Sequence, residues 1–297
     1  MKTSFFSRLL TLCLTGLLAL PALAQEDALK DFPGYVDFGD LNRRLEGGLL
    51  EAIGVTASSY ESGESVTFYQ SSLRGRTIPG WRRSRRRGVP ARLEVAHLLA
   101  SSAIPTMLPA IRVGQSYYGD VALRQVAPLS PALHLGAKRM LVVGVSREPT
   151  RTPRRRHENH SPSLASPVGH IFNSAFIDAL ESDMEHLLRI NCLVGMLKNE
   201  NPRARTGGMR QVDLLCINPS MEIDRLAARH IGDLPRAMRT LLRITGATPA
   251  GGGTSLASYL LFEGPFCREL IDCGYRDAMA HRDMLEEFFH PRLQVAL

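Results

Sequence analysis

The sequence predicts an α/β fold, and two patterns carry this prediction. Short apolar runs at residues 52–57 and 139–145 have the length and composition of buried strands. Segments with apolar residues three and four positions apart, such as 171–187, follow them and are typical of amphipathic helices. Strands that alternate with helices favour an α/β architecture. The 297-residue chain is 44% hydrophobic and 22% charged, which excludes a disordered or collagen-like class.

The first 24 residues are typical of a secretory signal peptide. Lys2 and Arg8 supply positive charge, residues 9–20 form an apolar stretch, and residues 21–24 (Pro-Ala-Leu-Ala) end in a small-x-small cleavage pattern. With this leader the protein is expected to be periplasmic or secreted. The alternatives are a buried N-terminal helix or a misassigned start codon, either of which would leave it cytoplasmic or membrane-associated.

A β-hairpin is predicted early in the mature chain. Residues 40–50 place leucines on one helical face, and residues 52–57 then form a run suited to a buried strand. Residues 65–69 alternate in polarity and are β-branched or aromatic, and a polar turn separates them from the first run. This order predicts a helix followed by two adjacent strands.

Residues 73–92 are predicted to form a loop that carries much of the positive charge. The formal net charge of +7 favours anionic partners. Trp81 is the one aromatic residue in this segment, so a base-stacking platform is unsupported and no nucleic-acid partner is predicted. A solvated surface loop and a contact with anionic lipid both remain open. The segment contains eight arginines: Arg74, Arg76, Arg82, Arg83, Arg85, Arg86, Arg87 and Arg92.

The rest of the chain continues the alternation. Prolines at 105 and 109 predict an extended or bent segment over 103–109, because a proline disfavours helical backbone in the residue before it. Residues 115–121 are predicted to turn, and 139–145 to form a strand buried in a parallel sheet. The remaining elements are helices at 93–102, 131–135, 171–187, 223–231, 237–244, 255–262 and 268–289, a strand at 212–217 and a linker at 148–170.

A serine nucleophile on a tight turn typically lies in a G-x-S-x-G motif, and the sequence contains no complete copy. Residues 144–148 (Gly-Val-Ser-Arg-Glu) follow a predicted strand but continue with bulky residues and no helix. Residues 253–257 (Gly-Thr-Ser-Leu-Ala) open a helix but have Ala in place of the last Gly and no clear strand before them. Both serines, Ser146 and Ser255, are weak candidates.

The cysteines and histidines form no recognised metal motif. Cys192, Cys216, Cys267 and Cys273 of the mature chain either pair as disulfides or remain buried free thiols, and no C-x-x-C pair is present. No H-E-x-x-H pattern occurs, and His97, His134 and His186 lie on predicted helices with structural roles expected. Neither a metal nor a cofactor is predicted.

Asp120 is a candidate catalytic residue, because it lies in a predicted turn. It follows Tyr117, Tyr118 and Gly119, and a carboxylate in such a turn can orient or deprotonate a nucleophile. The alternative is an ordinary Asx-turn, in which the side chain only bonds its own backbone.

The segments around Asp120 resemble those of a known family. Residues 100–105 (Ala-Ser-Ser-Ala-Ile-Pro) resemble the A-S-x-A-I-P segment of patatin-like phospholipases, and residues 117–120 (Tyr-Tyr-Gly-Asp) resemble the segment that carries their catalytic aspartate. Residues 123–125, 127–132 and 135–137 match the helix region that follows, and residues 140–145 resemble a late core strand, L-V-I-G-V. The likeness, to a bacterial branch of the family, extends over about residues 27–289.

The resemblance implies a three-layer α/β/α fold and hydrolysis of phospholipid or other acyl-ester lipids. The family uses a Ser–Asp dyad, with the serine in G-x-S-x-G and an oxyanion hole from a glycine-rich loop upstream. Asp120 matches the dyad aspartate. Val121 stands where the family has glycine, and a β-branched residue is costly at positive φ, so we expect an altered turn geometry at Asp120.

The glycine-rich loop and the nucleophile motif would precede everything matched here, and the leader occupies their place. We therefore expect a patatin-like fold incomplete on its N-terminal side: residues 27–147 as the later part of the domain, 148–170 as a linker, and 171–297 as a mainly helical α/β extension. The chain as given is expected to be inactive, because loss of the nucleophile removes most of the catalysis. The alternative is an exported, non-catalytic pseudoenzyme that binds anionic lipid surfaces.

Overall fold

The computed structural model of the chain describes seven stretches, which form two units. The sheet unit comprises residues 37–72, 78–105, 108–121, 125–137 and 178–200, and the helical unit comprises residues 138–146, 208–244 and 254–290. The predicted signal peptide at 1–24 and the predicted linker at 148–170 lie outside the described residues. Strands and helices occur in both units, which confirms the mixed α/β class.

Six strands of the sheet unit form one mixed sheet. They are β1 (Ala52–Ser59), β2 (Ser65–Ser71), β3 (Trp81–Arg83), β4 (Arg86–Pro90), β5 (Ile111–Val113) and β6 (Ser116–Gly119). Their order across the sheet is β3-β4-β2-β1-β6-β5, and β2 and β4 are parallel, whereas the other neighbours are antiparallel. The predicted hairpin is confirmed, since β1 and β2 pair in continuous register from Ala52 opposite Ser71 to Ser58 opposite Ser65.

Two predictions for this unit were wrong. The predicted loop over 73–92 contains β3 and β4, and the predicted turn over 115–121 contains β6, which pairs with β5 as a hairpin. Strand β4 gives little strand signal in the sequence, because its short run contains two arginines, a glycine and a proline. It is stabilised by pairing with the largely buried strand β2, which lies about 20 residues earlier in the chain. Long-range pairing thus overrides the local composition.

The described part of the same unit also contains four helices. They are α1 (Phe38–Glu46), α2 (Val95–Ser102), α3 (Ser130–His134) and α4 (Ala179–Glu200). The Oδ1 of Asp37 accepts a hydrogen bond from the amide of Asp40 at 2.9 Å and so caps α1. In α4 the side chain of Asp183 accepts from the amide of Leu129 at 2.8 Å, which holds the start of α3. The helix predicted from 171 is confirmed over residues 179–187 and continues to residue 200.

The helical unit contains two parallel strands and a set of helices. Its elements are β7 (Arg139–Val143), β8 (Asp213–Ile217), α5 (Ile223–His230), α6 (Arg236–Ile244), α7 (Thr254–Leu260), α8 (Gly264–Ala280) and α9 (Arg282–Phe289). The one helix predicted over 268–289 is two helices, which meet at His281. None of the helices in the described stretches is long and apolar enough to cross a membrane.

Strand β7 is parallel to β8, as predicted, but it is not fully buried. Met140 is 5% exposed, whereas Leu141 is 37% and Val143 is 72% exposed. A sheet of two strands has few neighbours to cover both faces of β7, so an apolar run predicted for a buried position is partly open to solvent. The reason lies in sheet width, which the composition of one strand does not report.

Candidate functional site

Asp120 lies directly after β6, where the chain leaves the sheet. Its backbone amide donates a hydrogen bond to the carbonyl of Ala103 at 2.8 Å. Gly119, the last residue of β6, pairs with Ser58 of β1. The structure therefore brings together the Ala-Ser-Ser-Ala-Ile-Pro segment and the Gly-Asp segment, which are separate in the sequence.

Tyr60 covers the backbone of this turn. A Cβ atom on Gly119 would lie 2.5 Å from the hydroxyl of Tyr60, so this position has no room for a side chain unless the tyrosine moves. Partial burial and the negative charge of Asp120 both raise the pKa of Tyr60 above its ordinary value. The phenol therefore stays protonated at neutral pH and is available as a hydrogen-bond donor beside the carboxylate.

Sequence reasoning missed Tyr60 as a member of this site. The residue lies in the turn between β1 and β2, far along the chain from Asp120, and an isolated tyrosine in a polar turn carries no signal of its own. The antiparallel pairing of β1 with β6 places the backbone of Tyr60 opposite Tyr117, and its side chain reaches the backbone of Gly119 only in the folded protein.

Val121 follows Asp120 with an ordinary backbone conformation. Arg85 is the one residue other than glycine with a positive φ in the part of the chain that the structure describes. The side chain of Val121 is 8% exposed and belongs to the core. The left-handed turn that a glycine would allow at this position is therefore not made, and the turn at Asp120 carries no strain from its β-branched neighbour.

The two weak serine candidates lie in the helical unit, whereas Asp120 lies in the sheet unit. Ser146 follows β7 and is half-buried, and the residues directly after it lie outside the described stretches. Ser255 lies in the first turn of α7. Neither serine has the strand–turn–helix context of a nucleophile elbow within the described residues.

Histidines on the helices of the sheet unit make structural contacts. The Nδ1 of His97 accepts from the amide of Glu94 at 3.0 Å and so closes the start of α2, while burial lowers the pKa of His97. His134 stacks on Trp81 with ring centres 4.9 Å apart. Across the described residues, no three His, Cys, Asp or Glu side chains are grouped to hold a metal ion.

A histidine between two carboxylates joins α5 to α8. His230 is 2.8 Å from Asp233 through Nδ1 and 2.7 Å from Glu269 through Nε2, and Arg229 also pairs with Glu269 at 3.0 Å. The hydrogen bond to Glu269, followed by that to Asp233, raises the pKa of His230. The contact with Glu269 therefore clamps α5 to α8, and Arg229 supplies Glu269 with a cationic partner in addition.

The helical unit also buries a carboxylate. Asp277 of α8 is 7% exposed and accepts hydrogen bonds from the amide of Ser220 at 3.0 Å and from the Sγ of Cys273 at 3.4 Å. Burial raises the pKa of Asp277, but these hydrogen bonds more than offset it, so the pKa lies below its ordinary value. Cys192, Cys216, Cys267 and Cys273 are free thiols, and of these four only Cys273 is buried as expected, whereas Cys192 is exposed.

Five of the eight arginines predicted in a loop lie on the hairpin of β3 and β4, at the edge of the sheet: Arg82, Arg83, Arg85, Arg86 and Arg87. Arg92 follows β4, and Arg74 and Arg76 lie outside the described residues. Arg85 takes the left-handed conformation, with φ of 55°, in the turn between the strands. Glu64 pairs with Arg82 at 3.1 Å and with Arg87 at 3.4 Å. The side chain of Arg82 is 77% exposed even so, and Arg83 and Arg85 are also exposed. Among the described residues Glu64 is the one carboxylate paired with this hairpin, so an excess of positive charge faces solvent.

Comparison of the chain with family models, with curated proteins and with solved structures found no match.

Proposed function

We propose that this chain carries the aspartate-bearing later part of a patatin-like lipid acyl-ester hydrolase domain. The observation that carries the proposal is the hydrogen bond from the amide of Asp120 to the carbonyl of Ala103. It joins the two segments on which the resemblance rests and fixes the aspartate at the end of a strand. A carboxylate held by rigid elements in this way is suited to act on a nucleophile placed beside it.

In the proposed chemistry Asp120 is the base of a Ser–Asp dyad. Its carboxylate would take the proton of a serine hydroxyl as that oxygen attacks the acyl carbonyl, and the proton would then pass to the departing alcohol. Tyr60, with its raised pKa, would donate a hydrogen bond on the carboxylate side of the turn. A three-layer arrangement belongs to the same proposal: α2 packs on the Val55 side of β1, and Leu135 meets Gly54 on the other side.

The first test is an esterase assay of the full chain. The sequence contains no complete G-x-S-x-G, so we expect turnover of p-nitrophenyl butyrate at the rate of the buffer alone, with or without Asp120→Asn. Turnover that Asp120→Asn abolishes would contradict the expected inactivity of this polypeptide.

A second experiment supplies the serine nucleophile that this chain lacks. The DNA upstream of the start codon is searched for a frame that encodes a glycine-rich loop and G-x-S-x-G, and its product is co-expressed with this chain. Activity lost by at least 10³-fold in Asp120→Asn would support Asp120 as the base. Activity that survives this substitution would refute that role, and the absence of such a frame would favour the second candidate.

The second candidate is an exported, non-catalytic protein that binds anionic lipid surfaces. It is favoured by one observation, the exposed arginines of the β3–β4 hairpin. Each arginine near an anionic membrane contributes about 1 kcal/mol to binding. Phospholipid or acyl-ester lipid is the ligand class under both candidates, and no nucleic acid is proposed.

Removal of three of these charges is expected to weaken binding to vesicles of 30% phosphatidylserine by about 100-fold. The variant is Arg82→Gln, Arg83→Gln, Arg85→Gln, and binding is measured by co-sedimentation at two salt concentrations. The control carries the same change of charge at Arg189, Arg225 and Arg236 and should bind like the unaltered protein. Equal binding to phosphatidylcholine vesicles, or equal loss in both variants, would reject this candidate.

A further inference from the structure

His230, the last residue of α5, faces a carboxylate through each of its two ring nitrogens. Nδ1 lies 2.8 Å from Oδ2 of Asp233, in the short turn that follows α5, and Nε2 lies 2.7 Å from Oε2 of Glu269 in α8. A neutral imidazole has one N–H and one nitrogen that only accepts, and an ionised carboxylate also only accepts. Both contacts are hydrogen bonds at the same time only when the ring carries two protons, so this geometry belongs to the imidazolium form.

The ring also lies against the core of the helical unit. Its centre is 5.9 Å from that of Phe266, with the two rings at 63° to each other. Phe266 of α8 is 2% exposed, and the side chain of His230 is 16% exposed. The contact between Nε2 and Glu269 therefore joins two helices beside a buried ring. Loss of this contact would change how α5 packs on α8.

Other charged groups decide which carboxylate the ring would release first. Arg229 of α5 pairs with Glu269 at 3.0 Å, and the positive charge of Arg276 on α8 acts on the same carboxylate. Helix α7, which also packs against α5, contains no charged residue. Among the described residues, His230 is the one cation paired with Asp233. Glu269 thus has a second partner, whereas Asp233 depends on the imidazole.

We infer that His230 is a pH-sensitive lock between α5 and α8, closed when its imidazole is protonated and open when it is neutral. In the neutral ring the remaining proton stays on Nδ1, bonded to Asp233 three residues away. The lone pair of Nε2 then faces the carboxylate of Glu269, which retains Arg229, and this contact breaks. The inference does not rest on either proposed function, because it uses contacts within the helical unit alone.

The direction of the pH dependence follows from the two hydrogen bonds. The bond to Glu269, and then that to Asp233, raises the pKa of His230 above the value of about 6.5 that a histidine has in an unfolded chain. The stabilisation by the lock is therefore complete below about pH 6.5 and is lost as the pH rises through the pKa of the folded protein.

An NMR titration of the His230 ring in the full, isotope-labelled chain tests the inference without any substitution, and His230→Gln identifies its signals. We expect two protonated ring nitrogens at acid pH and the Nδ1–H tautomer at alkaline pH. The cross-peak between the ring protons of His230 and Phe266 should be lost over the same transition. A neutral ring with its proton on Nε2, or a cross-peak that persists unchanged, would overturn the inference.

Two variants separate the contributions of the carboxylates. Glu269→Gln should lower the pKa of His230 more than Asp233→Asn does, because the bond to Glu269 is the larger cause of the shift. The same substitution at the exposed Glu286 of α9 is the control and should leave the titration of His230 unchanged. Equal effects of Glu269→Gln and Glu286→Gln would contradict a lock at Glu269.

Thermal unfolding followed by circular dichroism links the titration to the stability of the helical unit. His230→Gln should lower the transition midpoint at pH 6 and should converge with the unaltered protein at pH 9, where the lock is already open. A midpoint lowered by the same amount at both pH values would show that His230 contributes through packing alone. That result would overturn the inference.

Discussion

Gly88→Ala is expected to destabilise the sheet unit by about 3 kcal/mol. Gly88 is buried in β4 directly opposite Trp81 of β3, and a Cβ atom there would lie 2.3 Å from three carbons of the indole ring. The ring cannot move aside easily, since it stacks on Tyr69 and His134 with ring centres 4.9 Å away in both cases. Overpacking of this kind costs about 1–3 kcal/mol and occasionally more.

The measurement is urea unfolding followed by far-ultraviolet circular dichroism, a signal that all four proteins of the cycle retain. The fluorescence of Trp81, the only tryptophan, identifies the transition of the sheet unit in the unaltered protein and in Gly88→Ala. The control is the double-mutant cycle with Trp81→Ala. Once the ring is removed, Gly88→Ala should have little further effect, which gives a coupling energy of about 2 kcal/mol between the two sites. A transition midpoint unchanged by Gly88→Ala alone would show that the contact is not tight.

Asp277→Ala is expected to lower the stability of the helical unit by about 2–4 kcal/mol. The substitution leaves the amide of Ser220 without its acceptor and removes a hydrogen bond to a buried charged group, which together account for this range. The loss is measured as a shift of the thermal transition in circular dichroism. Asp272→Ala, on the exposed face of the same helix, should change stability by less than about 0.5 kcal/mol.

The same carboxylate gives a pH dependence of known sign. Its pKa is lower in the folded protein than in the unfolded chain, where it is about 4. The stabilisation of the folded state by ionised Asp277 is therefore complete above the unfolded-state pKa. It is lost as the pH falls through the pKa that Asp277 has in the folded protein. Asp277→Asn should flatten the acid side of the stability profile, and an acid limb as steep as that of the unaltered protein would contradict this assignment.

Local sequence patterns are enough to predict several elements of the fold. The β1–β2 hairpin followed from alternation at 65–69 after the apolar run at 52–57, and α5 followed from helical spacing at 223–231. Both depend on contacts between residues close in sequence. The strands at 81–90 were missed because their stability comes from β2 and from the Trp81 stack, neither of which is visible in a run of arginines.

The candidate site divides in the same way. Asp120 was found from its turn and from a resemblance, both local features. Tyr60, the bond from Asp120 to Ala103 and the buried Asp277 were not, since each depends on segments that meet only after folding. A tyrosine in a turn and an aspartate on a helix are unremarkable until the neighbours that change their pKa are in place.

By itself the sequence determined the α/β class, the excess of positive charge, the lack of a complete G-x-S-x-G and the one aspartate worth testing. These depend on composition and on the spacing of residues along the chain. Only the tertiary structure decided where the arginines point, what holds Asp120, and which carboxylates lie on either side of His230. The physical reason is that pairing, burial and hydrogen-bond satisfaction are relations between distant segments, and no local pattern encodes them.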